Sequence, residues 1–261
     1  MLKVESISKT FHPGTPDAKK ALDNLSFSLE AGDFVTIIGS NGAGKSTLFG
    51  AISGDFLTDQ GAVYLDGKDI TFDLAHKRAK YIGRLFQDPM KGTAPGMSIE
   101  DNMALALGKG GWLSHLTKGE KQDFRDALSV LDMGLEQRMK QPVGLLSGGQ
   151  RQALTLMMAT MSNPKLLLLD EHTAALDPAT ASKVLQITKD VVGKRAITTL
   201  MITHNMKDAL SIGNRTFMME SGKIVLDLDK EQKKTMTVAD LLEQFKRQAG
   251  KELDNDRMLF S

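Results

Sequence analysis

Hydrophobic and polar residues alternate in two stretches near the start of the chain, "LKVESISK" (residues 2–9) and "LSFSLEAGD" (25–33). A period of two predicts half-buried strands. The intervening "HPGTPDAKK" is rich in Pro and Gly and reads as a loop. "DFVTIIG" differs: it is a short, unbroken, β-branched run, which predicts a strand buried on both faces. It leads directly into "SNGAGKSTLFGAISG", read as a loop and then a helix. "GAVYLDGKDI" predicts a hairpin turning at Asp66-Gly67.

From about Pro89 to Asn163 the pattern becomes helical. Ser98-Ile99-Glu100-Asp101 has the form of a helix cap, and "KQDFRDALSVLDMG" sets Phe124, Leu128 and Leu131 at helical spacing. "LLLLDE" and "ITTLMIT" then return as apolar strands with a helix between them. The expected fold is α/β: a core with a mostly parallel sheet, an N-terminal antiparallel β subdomain, and an inserted α-helical subdomain at about 89–163. Residues 1–235 form the main domain in this reading, and 236–261 a C-terminal helix and tail. Thr237 to Asp240 caps that helix, Val238, Leu241, Leu242 and Phe245 share its apolar face, and Gly250 follows near its end. Docking on its own domain is the expectation; a partner contact is the alternative.

Composition narrows the chemistry. With 261 residues the chain can hold one large domain or a domain with a subdomain. A net charge of +1 gives no argument for nucleic acid. The absence of cysteine excludes disulfides, thiolate zinc sites and cysteine nucleophiles. No apolar run approaches the roughly 18 residues of a membrane span, and the N-terminus lacks a signal-peptide core. The chain itself is expected to be soluble, with any membrane role exercised through a partner. The fifteen methionines read as core filler, Trp112 as a packing or loop residue, and His12, His76 and His115 show no metal spacing.

Gly39-Ser40-Asn41-Gly42-Ala43-Gly44-Lys45-Ser46 fits G-x-x-x-x-G-K-[ST]. The glycines let backbone N–H groups converge on phosphate oxygens, and the following helix turns its positive end toward the same anion. In such a loop the lysine reaches the β- and γ-phosphates and the Ser46 hydroxyl ligates Mg²⁺. At the end of "LLLLDE", Asp170 can join the Mg²⁺ shell and Glu171 can polarise an attacking water. "LLSGGQRQ" adds a second capped helix start at Ser147, with Gly148 and Gly149 in its first turn and Gln150 completing the S-x-x-Q pattern. This is a second anion-binding helix N-terminus in the same chain.

Together these motifs resemble the ATP-binding subunit of an ABC transporter, over nearly the whole chain. "GSNGAGKST", ending at Thr47, resembles the family's Walker A loop, and "LLLLDE" its Walker B strand. "LSGGQ" resembles the signature, "LFQDP" the Q-loop with Gln87, "AALDP" the D-loop with Asp177, and "MITHNM" the switch region with His204. Phe11 lies where the family stacks an aromatic on adenine. The resemblance implies a P-loop NTPase (RecA-like) core and a head-to-tail homodimer, or a pair with another ATPase subunit, around two Mg-ATP. It also implies ATP and Mg²⁺ as ligands, with Ser46, Gln87 and Asp170 around the metal, and Glu171, His204 and Gln87 as the catalytic group. Each ATP would lie between one subunit's Walker loop and the other's signature helix, contacting Ser147 to Gln150 and Asp177.

The implied partners are integral membrane permease subunits and, indirectly, an extracytoplasmic substrate-binding protein. The implied location is cytoplasmic, peripheral on the inner face of the membrane. An importer is the leading expectation; an exporter or lipoprotein-release ATPase shares every motif. A non-transport ATPase fits less well, because repair members carry long coiled-coil insertions and translation members two ATPase domains. "DEHTAALDP", with His172 where most of the family has proline, resembles a bacterial importer branch linked to amino-acid-type uptake, with tryptophan or tyrosine among its suggested substrates. His172 is expected to be a backbone-compatible substitute without a catalytic role. The alternatives are a hydrogen bond that tunes Glu171 or one that crosses the dimer interface.

Overall fold

The computed structural model describes residues 1–109 and 116–249. Trp112, His115 and Gly250 lie outside the described residues. In chain order the elements begin with β1 (Leu2–Phe11), β2 (Lys19–Leu29), β3 (Phe34–Gly39), α1 (Lys45–Ser53), β4 (Gln60–Leu65), β5 (Lys68–Asp69) and α2 (Ala75–Arg78). They continue with β6 (Ile82–Leu85), α3 (Ile99–Ala106), α4 (Lys118–Ser129), α5 (Gly148–Met161), β7 (Leu166–Asp170) and α6 (Pro178–Arg195). The last are β8 (Thr198–Ile202), α7 (Met206–Ser211), β9 (Arg215–Glu220), β10 (Lys223–Leu228), α8 (Lys230–Thr235) and α9 (Val238–Ala249). The chain forms two compact units: Met1–Ile82 with the chain from Ala196 onward, and Gly83–Arg195.

In the first unit, β2, β1, β4 and β5 form an antiparallel sheet. The hairpin turn falls at Asp66-Gly67, both at positive φ (51° and 75°), as a two-residue turn between twisted strands requires. The first two strands run further than alternation alone indicates. Phe11 pairs with Lys19, so Lys19 and Lys20 belong to β2 and not to the loop. Beside this sheet in the same unit, β3 pairs in parallel with β8 and with β9, and β10 returns antiparallel to β9. The residues of β3, β8 and β9 are almost entirely buried, which explains their loss of alternation. Met218 and Met219, expected as core filler, are fully buried on β9; the strand itself and β10 escaped the pattern reading.

Helix α9 docks on its own unit. Leu241 and Phe245 are buried with Ile38, Met206, Ala209, Met218 and Leu228, and Val238 and Leu242 pack against them. Helix α8 adds a polar anchor: the buried Lys233 Nζ donates to the Ala209 carbonyl at 2.8 Å and the Ile212 carbonyl at 2.7 Å. Desolvation lowers the Lys233 pKa to about 8.

The second unit contains β6 and β7, hydrogen-bonded neighbours, with α3 to α6. Its caps follow the local sequence. Ser98 Oγ accepts the Asp101 N–H, and Thr117 and Glu120 form a reciprocal capping box on α4. Phe124 and Leu128 of α4 are buried, as is Leu131 just beyond it. The mostly parallel strands, the antiparallel N-terminal sheet and the helices match the expected fold class.

Candidate functional site

The first unit carries the phosphate-loop sequence. Strand β3 ends at Gly39, φ 151°, where an added Cβ would lie 2.1 Å from the Met219 carbonyl oxygen. Gly44 caps α1 at φ 101°, and a Cβ there would lie 2.4 Å from the Ala21 carbonyl oxygen. Both positions exclude a side chain twice over, by conformation and by space. Lys45 is buried, and its Nζ donates to the Gly39 carbonyl at 2.7 Å and the Ser40 carbonyl at 3.0 Å. Ser40 Oγ donates to Glu220 Oε2 at 2.5 Å. Asn41, Gly42 and Ser46 are exposed, Ala43 is buried and Thr47 is half-buried. The first bond of α1 runs from Leu48 N–H to the Gly44 carbonyl, and Gly44 supplies no side-chain cap. The amides of the first turn therefore have no capping side chain, an arrangement suited to an anion.

Phe11 and His204 lie in the same unit. The half-buried Phe11 ring packs edge-on against Phe56, with centroids 5.4 Å apart. Lys9 Nζ sits 5.8 Å and 5.5 Å from these two ring centres and bonds Asp59. His204 is half-buried between β8 and Asn205, whose side chain caps α7.

The second unit carries the other motif residues. Leu166 to Leu169 are fully buried in β7, and the half-buried Asp170 ends the strand. Glu171 follows at φ 46°, a left-handed conformation that is costly for a residue with a Cβ. Ser147 and Gln150 form a reciprocal capping box at the start of α5. The two glycines between them have a packing reason that their spacing did not disclose. A Cβ on Gly149 would lie 2.1 Å from Thr180 Cγ2 of α6, and one on Gly148 3.2 Å from Leu176 Cδ2. The exposed Asp177 accepts the Thr180 N–H at 3.1 Å, which caps α6; the Thr180 side-chain hydroxyl, and then this N–H, hold its pKa below the usual carboxylate value. Gln87 is exposed, two residues beyond β6.

His172 is buried beside Thr188 of α6, with Nε2 3.1 Å from Thr188 Oγ1. That hydroxyl donates to the Val184 carbonyl at 2.9 Å, so its hydrogen is committed. Nε2 is therefore the protonated nitrogen and the donor to Thr188. His172 is thus an internal tie between the strand end and α6, through a partner that the sequence reading did not name. Burial pushes its pKa down to about 4. An unfolded histidine titrates near 6.5. Between those values the unfolded chain holds the proton and the folded chain does not. Stability present above pH 6.5 is lost as pH falls through 4, on the order of 3 kcal/mol in all. Urea unfolding at pH 7 and pH 5 should show roughly 2 kcal/mol of this loss in the parent and less in His172→Pro. Turnover of that variant at neutral pH should match the parent.

In the first unit the exposed Ser46 hydroxyl is a hard oxygen donor of the kind Mg²⁺ takes, and in the second unit the Asp170 carboxylate is another. No cluster of three or more His, Cys, Asp or Glu among the described residues offers a self-contained metal site. The sequence reading missed Glu220, the acceptor for Ser40. The two are 180 positions apart, so no local spacing could have indicated it.

Similarity to known proteins agrees with these features. Residues 22–174 match the family model described as ABC transporter. The chain is 42% identical to the tyrosine transport ATP-binding protein of Clostridioides difficile (strain R20291), covering 94% of this chain and 98% of that one. It is 34% identical to the methionine import ATP-binding protein MetN of Escherichia coli (strain K12), over 86% of this chain but 64% of the relative. Among solved structures, a dimeric ATP-binding cassette in a post-hydrolysis state bound to ADP and Pi superimposes with a TM-score of 0.75, at 27% identity over 88% of this chain and 99% of that one. An ABC transporter cassette in its ADP conformation gives 0.76 at 29% identity, over 94% and 98%. No helix among the described residues is long and apolar enough to cross a membrane. The chain belongs to the ABC transporter family, as an ATP-binding subunit and an ATPase.

Proposed function

We propose that this chain powers the uptake of an amino acid of the tyrosine class through a separate membrane permease. The observation that carries this reading is the 42% identity with a tyrosine transport ATP-binding protein across 98% of that relative. The methionine importers support amino acids as the broader substrate class. An extracytoplasmic binding protein would deliver the amino acid to the permease.

In this reading Phe11 stacks on adenine, and residues Gly39 to Thr47 hold the phosphates. Lys45 offsets their charge. Ser46, Gln87 and Asp170 would hold Mg²⁺, which would supply neutralisation of phosphate charge. Glu171 polarises the water that attacks the γ-phosphorus, and the β–γ bridging oxygen leaves with ADP. His204 contacts the γ-phosphate and keeps the water in line. Ser147, Gly148, Gly149, Gln150 and Asp177 serve the nucleotide of the opposing subunit in a head-to-tail dimer. ATP then contributes a contact that ADP lacks, which makes closure depend on nucleotide.

The test is transport itself. The chain, co-expressed with its permease, should co-purify with that membrane protein. Reconstituted in vesicles with the binding protein, it should drive ATP-dependent accumulation of labelled tyrosine or a close aromatic analogue. Movement of substrate only in the opposite direction would establish the exporter reading instead.

A further inference from the structure

We propose that Lys19 is a second phosphate-binding cation of the nucleotide site, alongside Lys45. The inference rests on the reading of Gly39 to Thr47 as the ATP phosphate loop and adds a residue that none of its motifs contains.

The placement begins with the backbone. The first residues of β2 run along the phosphate loop: the Ala21 carbonyl abuts Gly44, the Gly222 N–H donates to the Ala43 carbonyl, and the Asp23 N–H donates to the Gly222 carbonyl. These contacts hold residues 21–23 against the loop. Two positions earlier, Lys19 Nζ lies 3.4 Å from where a Cβ on Gly42 would be. Lys19 is also the cross-strand partner of Phe11, the adenine-stacking candidate. Its ammonium thus lies at the phosphate loop while its backbone lies beside the aromatic.

Charge singles out this lysine. Its neighbours Lys20 and Lys223 both pair with Asp23. Lys19 is exposed, and its side chain makes no ion pair or hydrogen bond among the described residues. A cation beside a polyanion site, without a carboxylate of its own, gains its Coulomb energy from the ligand. The ligand class is a nucleoside polyphosphate, with affinity graded by the number of phosphates.

Calorimetric titration with ATP, ADP and AMP tests this. Lys19→Gln should weaken ATP binding about 3- to 10-fold and AMP binding less, with melting unchanged. Its ATP affinity should also fall less steeply with added NaCl than the parent's. Lys20→Gln, which removes a cation already paired, should bind as the parent does. If Lys19→Gln keeps both the parent affinity and the parent salt slope, while Lys45→Ala loses ATP, the role of Lys19 is refuted and the phosphate loop stands. If the parent itself does not bind ATP, both readings fail.

Discussion

Glu171→Gln should stop ATP turnover while leaving ATP bound. Glutamine keeps the size and both polar atoms of the side chain but cannot accept a proton from water. Loss of a general base costs about 10²- to 10⁴-fold in rate. The backbone makes this a clean substitution. Glu171 occupies a left-handed conformation at φ 46°, and glutamine meets the same modest cost there. No refolding of the strand end is expected. A dimer that opens only after hydrolysis should therefore persist. With Mg-ATP the variant should elute as a dimer, and with Mg-ADP as a monomer. Full turnover in Glu171→Gln, or a monomer in both nucleotides, would remove Glu171 from the role assigned to it.

Lys45→Ala should abolish nucleotide binding itself. Two losses coincide. The substitution removes the loop's buried cation, and it frees the carbonyls of Gly39 and Ser40 that the ammonium now holds at 2.7 and 3.0 Å. The first loss falls on the ligand: removing one preorganised charge from a phosphate site costs about 100-fold or more. The second falls on the loop and should cost roughly 1 kcal/mol of stability, because those oxygens can turn to water. ATP titration and thermal melting separate the two. The expected pair is a lost binding isotherm and a small drop in melting temperature. Undiminished ATPase activity would refute the phosphate-loop assignment.

Features written in short-range patterns were legible from the chain. The caps at Ser98 and Ser147 join residues three apart, so they can be read by eye. The Asp66-Gly67 turn and the buried run of β7 are local in the same sense. Where the determinant lay far away, the reading stopped short. Gly149 looked like an anion-binding glycine, yet the contact that excludes a larger residue comes from Thr180 on the next helix. Asp177 was placed only by the D-loop pattern, while its carboxylate also caps the helix it precedes. His172 has its partner 16 residues on, across a helix whose position no spacing reveals. Lys19 was assigned to a loop because pairing, not alternation, extends β2 to include it.

The carbonyl of Ala209 faces three donors: the hydroxyls of Thr36 and Thr216, each at 2.9 Å, and the ammonium of Lys233 at 2.8 Å. An oxygen has only two lone pairs to offer. The two hydroxyls are 2.8 Å apart, so one can donate to the other and leave a single hydroxyl hydrogen for the carbonyl. The ammonium takes the second lone pair. With the hydrogens arranged in this way all three donors are accommodated at once, the lysine arriving from α8. Helix α7, which starts just after His204, thus has its closing carbonyls held from α8, and its final turn should order only once α8 has docked.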